Sequence, residues 1–307
     1  LNNQSAPPGF LGTTYIATSI FGMNEFTIRL VPLLSSIGAL VFIYFVARKS
    51  LKTFLAQGFL VTTFSISPVL IYYSTEFKQY SVDVLAVVFF VFALSHNLWS
   101  SRSNLRWLLL LFISWLLASS LIATPILLIY LALRYFQFAK TPSFESFWSF
   151  VSQNKLLLSV SGLTIALHLF HIYLNSATLN MISFWTRAGG LPPSFRDAED
   201  FWWLPLRVVN LASEAFVSQQ ISVPRQIADS PGIWVPVIAL MIFAIFRSRS
   251  WENLFILSVL ALPIILSFSF IYPMGGRLTL FTIPLVLILV SKGVDELAKS
   301  KNGFSLM

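Results

Sequence analysis

Apolar residues in this chain come in long, nearly unbroken runs separated by short polar interruptions. Neither the two-residue alternation of a half-buried strand nor a single amphipathic stripe describes them. A run of roughly 17–25 mostly apolar residues crosses about 30 Å of hydrocarbon as a helix. Nine such spans are predicted, at Val31–Ala47, Phe54–Tyr73, Tyr80–Trp99, Arg106–Ile122, Thr124–Phe138, Leu156–Leu174, Ile233–Phe246, Leu254–Ile271 and Leu278–Ser291. The fourth and fifth part only at Ala123-Thr124-Pro125, which predicts a tight helical hairpin or one kinked element. Two connecting stretches are too long to be plain turns. Residues 1–30 hold a moderately apolar stretch, Gly9 to Phe21, suited to the membrane interface. Residues 175–232 carry Trp185, Trp202, Trp203 and the pair Pro192-Pro193, and tryptophan at such depth marks the headgroup belt. Within them, Asp200 to Ser218 reads as an amphipathic helix lying on the membrane surface.

Composition turns this pattern into a class. Apolar residues make up 56% of the 307 and charged ones only 10%, against about 25% charged in a soluble domain. Phenylalanine alone outnumbers the acids, 30 to 12. Mean hydropathy is +0.78. The expected fold is an all-α polytopic membrane protein of about nine transmembrane helices, with interfacial helices in its outer loops. The chain divides into an outer segment (1–30), six spans (31–174), a large outer loop (175–232) and three last spans with a tail (233–307).

The net charge of +8 does not point to nucleic acid, because the basic residues sit in short clusters between apolar runs. They orient the chain instead. With the loops after the odd-numbered spans and the C-terminus placed on the cytoplasmic side, that side holds 13 of the 20 Lys and Arg. Eight of the 12 acids then lie outside. This is the bias of cytoplasmic loops in membrane proteins. Cysteine is absent, so the chain has no disulfide, thiolate metal site or Cys nucleophile.

The recognisable chemistry falls in the outer turns. Between spans two and three, Tyr72-Tyr73-Ser74-Thr75-Glu76-Phe77-Lys78-Gln79-Tyr80-Ser81-Val82-Asp83 packs acid, base, amide and phenol into the membrane boundary. If 76–83 is helical, Glu76, Gln79, Tyr80 and Asp83 share a face, while Lys78 points elsewhere and suits an anionic group. A carboxylate at the depth of Asp83 costs about 2.5–3.5 kcal/mol, which asks for a function or a structural ion pair. Before the last span, Tyr272-Pro273-Met274-Gly275-Gly276-Arg277 joins two glycines, which permit close backbone approach, to an arginine that forks onto a phosphate or snorkels to the interface. His168 and His171, three apart on one face, are candidates for a divalent metal and equally for ordinary hydrogen bonds within a bundle. Glu25 and Arg29 are spaced for an i,i+4 ion pair. No phosphate-binding Gly-rich loop, metalloprotease motif or nucleophile elbow occurs.

Three stretches carry a resemblance. Ala6-Pro7-Pro8-Gly9 leads to Gly22-Met23-Asn24-Glu25 and Arg29-Leu30, Tyr73-Ser74-Thr75-Glu76-Phe77-Lys78-Gln79-Tyr80 follows, and Gly276-Arg277-Leu278 precedes Ile283-Pro284-Leu285. Together they resemble the GT-C superfamily of membrane glycosyltransferases, in the branch of protein O-mannosyltransferases and of bacterial aminoarabinose and lipopolysaccharide-core sugar transferases. Lys78 and Gln79 stand where that branch usually has Arg and Pro.

The resemblance implies transfer of a sugar from a polyprenyl-phosphate donor to a lipid, glycan or protein acceptor on the outer side of the membrane, with inversion. It implies a bacterial inner membrane with the site facing the periplasm, and catalysis with or without a divalent metal. Glu76 and Asp83 are the expected catalytic carboxylates; Tyr73, Lys78, Gln79, Tyr80, Tyr272 and Arg277 are the expected substrate-binding residues. The family's principal base lies in an outer loop after a first span, and no Asp-Glu or Asp-x-Asp precedes Ala6. The expectation is therefore that this base lies upstream of Leu1 and that 1–30 is the remainder of its loop. A transporter or lipid-carrier flippase, and a non-catalytic scaffold, are the alternatives the same residues leave open.

Overall fold

A computed structural model describes residues 6–98, 103–139, 141–174, 190–193, 197–214, 231–248, 250–269, 272–274 and 276–304, with Thr186, Phe195 and Phe216 as isolated positions. The described chain is helical, with no strand among the described residues. Twelve α-helices follow in order: α1 Pro8–Phe21, α2 Glu25–Ser50, α3 Phe54–Ile66, α4 Pro68–Ser74, α5 Tyr80–Ser95, α6 Ser103–Ser119, α7 Ala123–Phe138, α8 Phe144–Leu174, α9 Trp203–Glu214, α10 Pro231–Arg247, α11 Trp251–Phe268 and α12 Ile283–Phe304. Short 3₁₀ segments, Ala198–Trp202 and Gly276–Thr282, lead into α9 and α12.

The helices begin where the sequence supplies caps. Asn24 accepts from the Thr27 amide at 2.9 Å, and Glu25 in the first turn with Arg48 and Lys49 in the last complements the dipole of α2. The expected Glu25–Arg29 pair forms at 2.6 Å on the exposed face. The predicted second span is broken: Pro68 removes an amide donor and disfavours helix at Ser67, so α3 and α4 meet at a 50° bend. The sixth predicted span begins earlier than expected, at Phe144. Among the described residues four helices are long and apolar enough to cross a membrane, the bent α3–α4 pair is so when taken as one element, and α5, α6, α7 and most of α10 are shorter apolar helices. The protein is a multi-pass, all-α integral membrane protein.

Burial separates central from peripheral helices. All but three of the sixteen residues of α5 are buried, and so is the first half of α12; both pack at the centre, with α2, α3, α7 and α10 around them. Small residues bring helices close, as is usual where lipid replaces water outside the bundle. A Cβ on Gly293 would lie 2.5 Å from the Leu240 carbonyl oxygen, and one on Gly9 would lie 2.4 Å from the backbone of Ala118. Residues 8–21 are therefore a helix packed on α2 and α6. The helix expected at Asp200–Ser218 appears as the 3₁₀ turn and α9, with Trp203 buried against Phe268, 5.7 Å between centroids. Trp185 and Trp99 lie outside the described residues.

One end of the bundle carries a closed polar network. Asp295, about 18 Å along α12 from its start at 1.5 Å per residue, is 3% exposed. It accepts from the amides of Lys52 (3.1 Å) and Thr53 (2.7 Å), from Thr53 Oγ1 (2.7 Å) and from Lys299 (2.6 Å). The carboxylate thus holds, from across the bundle, the chain just before α3, whose N-cap is Thr53. Lys292 donates to Asn253 Oδ1 (2.6 Å) and pairs with Glu252 Oε1 at 3.1 Å, a contact of charge without hydrogen-bond alignment. Ser50 donates to Glu252 Oε2 at 3.0 Å.

Candidate active site

The other end is built by two chain reversals. After α4, the hydroxyls of Ser74 and Thr75 bond back to the carbonyls of Ile71 and Tyr72 at 2.7 and 2.9 Å, ending the helix. Residues 75–79 form a bend closed by the Lys78 amide on the Glu76 carbonyl (2.7 Å), and α5 starts only at Tyr80, its amides of Val82 and Asp83 bonding to the Gln79 carbonyl. The helix posited over 76–83 therefore does not form. Glu76 does not share a helical face with Asp83, because the reversal from α4 into α5 consumes residues 75–78, whereas Gln79 is the N-cap of α5 and its carbonyl accepts from the Asp83 amide. Ser81 Oγ donates to the Tyr73 carbonyl at 2.7 Å and ties the reversal together. Tyr73 and Tyr80 then meet edge to face, 5.3 Å apart, both buried.

The second reversal brings the late turn onto the first. The Tyr272 amide bonds to the Leu266 carbonyl at 3.2 Å, and the Met274 amide and Ser267 hydroxyl both donate to the Gly190 carbonyl, at 2.6 and 3.2 Å. Tyr272 then donates its phenol to the Leu278 carbonyl at 2.7 Å, closing the loop around Arg277. Arg277 is exposed, and its guanidinium carbon stands 6.0 Å from the centroid of the Tyr80 ring. Burial, with Asp83 and Tyr80 nearby, pushes the Tyr272 phenol well above its ordinary pKa, so it stays a neutral donor.

Asp83 lies beneath these tyrosines. It is 5% exposed and bonds to the hydroxyl of Ser120, a fully buried residue in the break between α6 and α7. That hydroxyl oxygen also accepts from the Ala123 amide at 3.1 Å, at the start of α7. Tyr73, Tyr80, Asp83, Tyr272 and Arg277 are thus brought together from two distant stretches. Glu76, Lys78 and Gln79 lie on the adjoining bend. The Glu76 carboxylate is half-buried and has no described hydrogen-bond or ion-pair partner, and Phe77 stacks on Phe10 of α1 at 5.5 Å. Ser120 was not singled out in the sequence; its only signal is its place beside the Ala123-Thr124-Pro125 break.

His168 is buried on α8, where its ring meets the Ala118 backbone and its Nε2 has no described partner. Among the described residues, no three His, Cys, Asp or Glu side chains come together to hold a metal. Chemically, the cluster offers an exposed cation seated on an aromatic wall at the edge of an apolar bundle, with a partner-free carboxylate on the neighbouring bend. Such an arrangement suits an anionic headgroup attached to an apolar tail.

No curated protein and no solved structure matches the chain. The sequence pattern of the dolichyl-phosphate-mannose-protein mannosyltransferase family matches residues 5–173, more than half of the 307. The match spans α1 to nearly the end of α8, hence the Tyr73–Asp83 stretch and Ser120, and leaves out Tyr272 and Arg277. On that match the chain belongs to the dolichyl-phosphate-mannose-protein mannosyltransferase family, and it is a membrane glycosyltransferase of the GT-C type.

Proposed function

We propose that this glycosyltransferase moves a sugar from a polyprenyl-phosphate donor to an acceptor hydroxyl at the Tyr80–Arg277 end of the bundle, inverting the anomeric centre. The observation that carries this reading is the exposed Arg277 guanidinium seated over Tyr80, in a wall of tyrosines closed by the Tyr272–Leu278 bond. The leaving phosphate is already acidic and needs no proton. The reaction needs a base to take the proton of the acceptor hydroxyl and cations for the phosphate oxygens. As the bond from acceptor oxygen to anomeric carbon forms, the bond from that carbon to the phosphate oxygen breaks, and the phosphate departs with the electron pair.

In this scheme Arg277 and Lys78 hold the phosphate, and Glu76 orients the acceptor hydroxyl or supports the base. Tyr73, Gln79, Tyr80 and Tyr272 wall the headgroup. Asp83, too buried to touch substrate, shapes the site from below. The polyprenyl chain lies along the apolar helices. The basic bias of the opposite end supports a site facing the outside of the membrane, in a bacterial inner membrane with a cell-envelope lipid, glycan or protein as acceptor.

The test compares Arg277→Ala, Lys78→Ala and Glu76→Gln with the unaltered full-length protein, in transfer from a polyprenyl-phosphate-linked sugar. Each variant is expected to lose transfer, Arg277→Ala by about 10²-fold or more, with the amount and melting of folded protein unchanged. Near-normal transfer by all three would overturn the site.

A further inference from the structure

Ser120 is fully buried, yet it is linked to the Arg277 site through Asp83 and Tyr80. Its hydroxyl accepts from the first amide of α7 and donates to Asp83, and hydrogen bonds joined in this way polarise one another. The Asp83 carboxylate has no other described hydrogen-bond partner, so Ser120 is the group that fixes its rotamer. Asp83 lies one helical turn after Tyr80, the residue beneath the Arg277 guanidinium. It also lies close enough to Tyr272 to affect the phenol that clasps the loop behind Arg277. Ser120 is placed by a helix break, and a break can set a side chain at an angle that a continuous helix does not allow.

We propose that Ser120 is a positioning residue for the donor phosphate: by holding Asp83, it fixes the tyrosine wall that presents Arg277. The assignment rests on the reading of Arg277 as the phosphate-binding cation. Breaking the Ser120–Asp83 bond frees the carboxylate to turn toward Tyr80, Tyr272 or Arg277 itself, and each outcome draws the guanidinium from the phosphate. A substitution at Ser120 therefore acts on donor binding only through Arg277.

The experiment measures binding of farnesyl phosphate, a short polyprenyl monophosphate, to the full-length protein in detergent. It compares the unaltered chain with Ser120→Ala, Ser120→Thr, Arg277→Ala and the double variant Ser120→Ala/Arg277→Ala. Ser120→Ala is expected to bind roughly tenfold more weakly, the scale of one charge-assisted hydrogen bond, and Ser120→Thr to recover most of that loss by restoring the hydroxyl. The double variant should bind within about twofold of Arg277→Ala alone, because the two act on one contact. If Arg277→Ala weakens binding while Ser120→Ala does not, or if the two losses multiply, the Ser120 assignment is overturned and the Arg277 site stands. If Arg277→Ala leaves binding unchanged, the phosphate site itself is overturned and Ser120 with it. Should Ser120→Ala not fold, Ser120→Cys carries the same comparison: its thiol is a weaker donor to Asp83, and it is expected to give a smaller loss coupled in the same way to Arg277→Ala.

Discussion

Asp83 and Asp295 are both buried aspartates on apolar helices packed at the centre of the bundle, and their surroundings are opposite. Asp295 is met by two amides, a threonine hydroxyl and a lysine, and it stitches the start of α3 to α12. Lys292, Glu252, Asn253 and Ser50 close a second knot beside it. Asp83 has one described hydrogen-bond partner, the hydroxyl of Ser120, and Arg277 is exposed over Tyr80. A buried charge that is fully met holds helices together. One that is met once among the described residues is retained at a cost in stability.

The largest effect that would sharpen this contrast is at Lys292. Lys292→Ala leaves the largely covered Glu252 without its cation and is expected to cost about 3 kcal/mol. Thermal unfolding in detergent should show it, and the protein that stays folded should keep its transfer activity per molecule. Asp83→Asn is expected to behave inversely. Transfer should fall by roughly tenfold while melting stays level or rises, since a singly bonded buried charge is removed. A drop in melting as large as that of Lys292→Ala would make Asp83 a structural residue and erase the contrast.

The same exchange at the other end, Asp295→Asn, should lower stability by about 1–2 kcal/mol through weaker bonds to the Lys52 and Thr53 amides and loss of the Lys299 pair, and spare transfer. Measuring both aspartate variants for melting and for transfer gives a crossed pattern if the two ends differ in role. The smallest effect is at Tyr272→Phe. It removes one hydrogen bond to the Leu278 carbonyl, worth about 1 kcal/mol, and should weaken donor binding only a few-fold, read as a rise in KM for the donor with kcat little changed.

Much of the fold could be read from the sequence because the membrane allows few solutions. Backbone groups in hydrocarbon must bond within their own segment, so an apolar run of sufficient length is a helix. Each of the nine predicted spans falls on helix, the second on α3 and α4 and the ninth on the 3₁₀ segment and α12, while four helices among the described residues, or five with the α3–α4 pair, have the length and hydropathy of a span. The departures are local and have local causes. Pro68 splits the second span, and the bend at 75–79 takes the residues that a helix over 76–83 would have used. The stretch Tyr73–Asp83 and the turn Tyr272–Arg277 each stood out alone, since polar residues at a membrane boundary are expensive.

What sequence periodicity cannot carry is contact between segments about 190 positions apart. The chain by itself determined the helices, their apolar faces and the polar turns that interrupt them, because these follow from short-range chemistry and from lipid as the solvent. Only tertiary packing decided that Arg277 rests over Tyr80, that Asp83 is buried with Ser120 as its partner while Asp295 is encircled, and that Glu76 leaves the helical face. Those outcomes depend on how α5, the α6–α7 break and the loop before α12 are brought together, and no residue in any one of these segments specifies that arrangement alone.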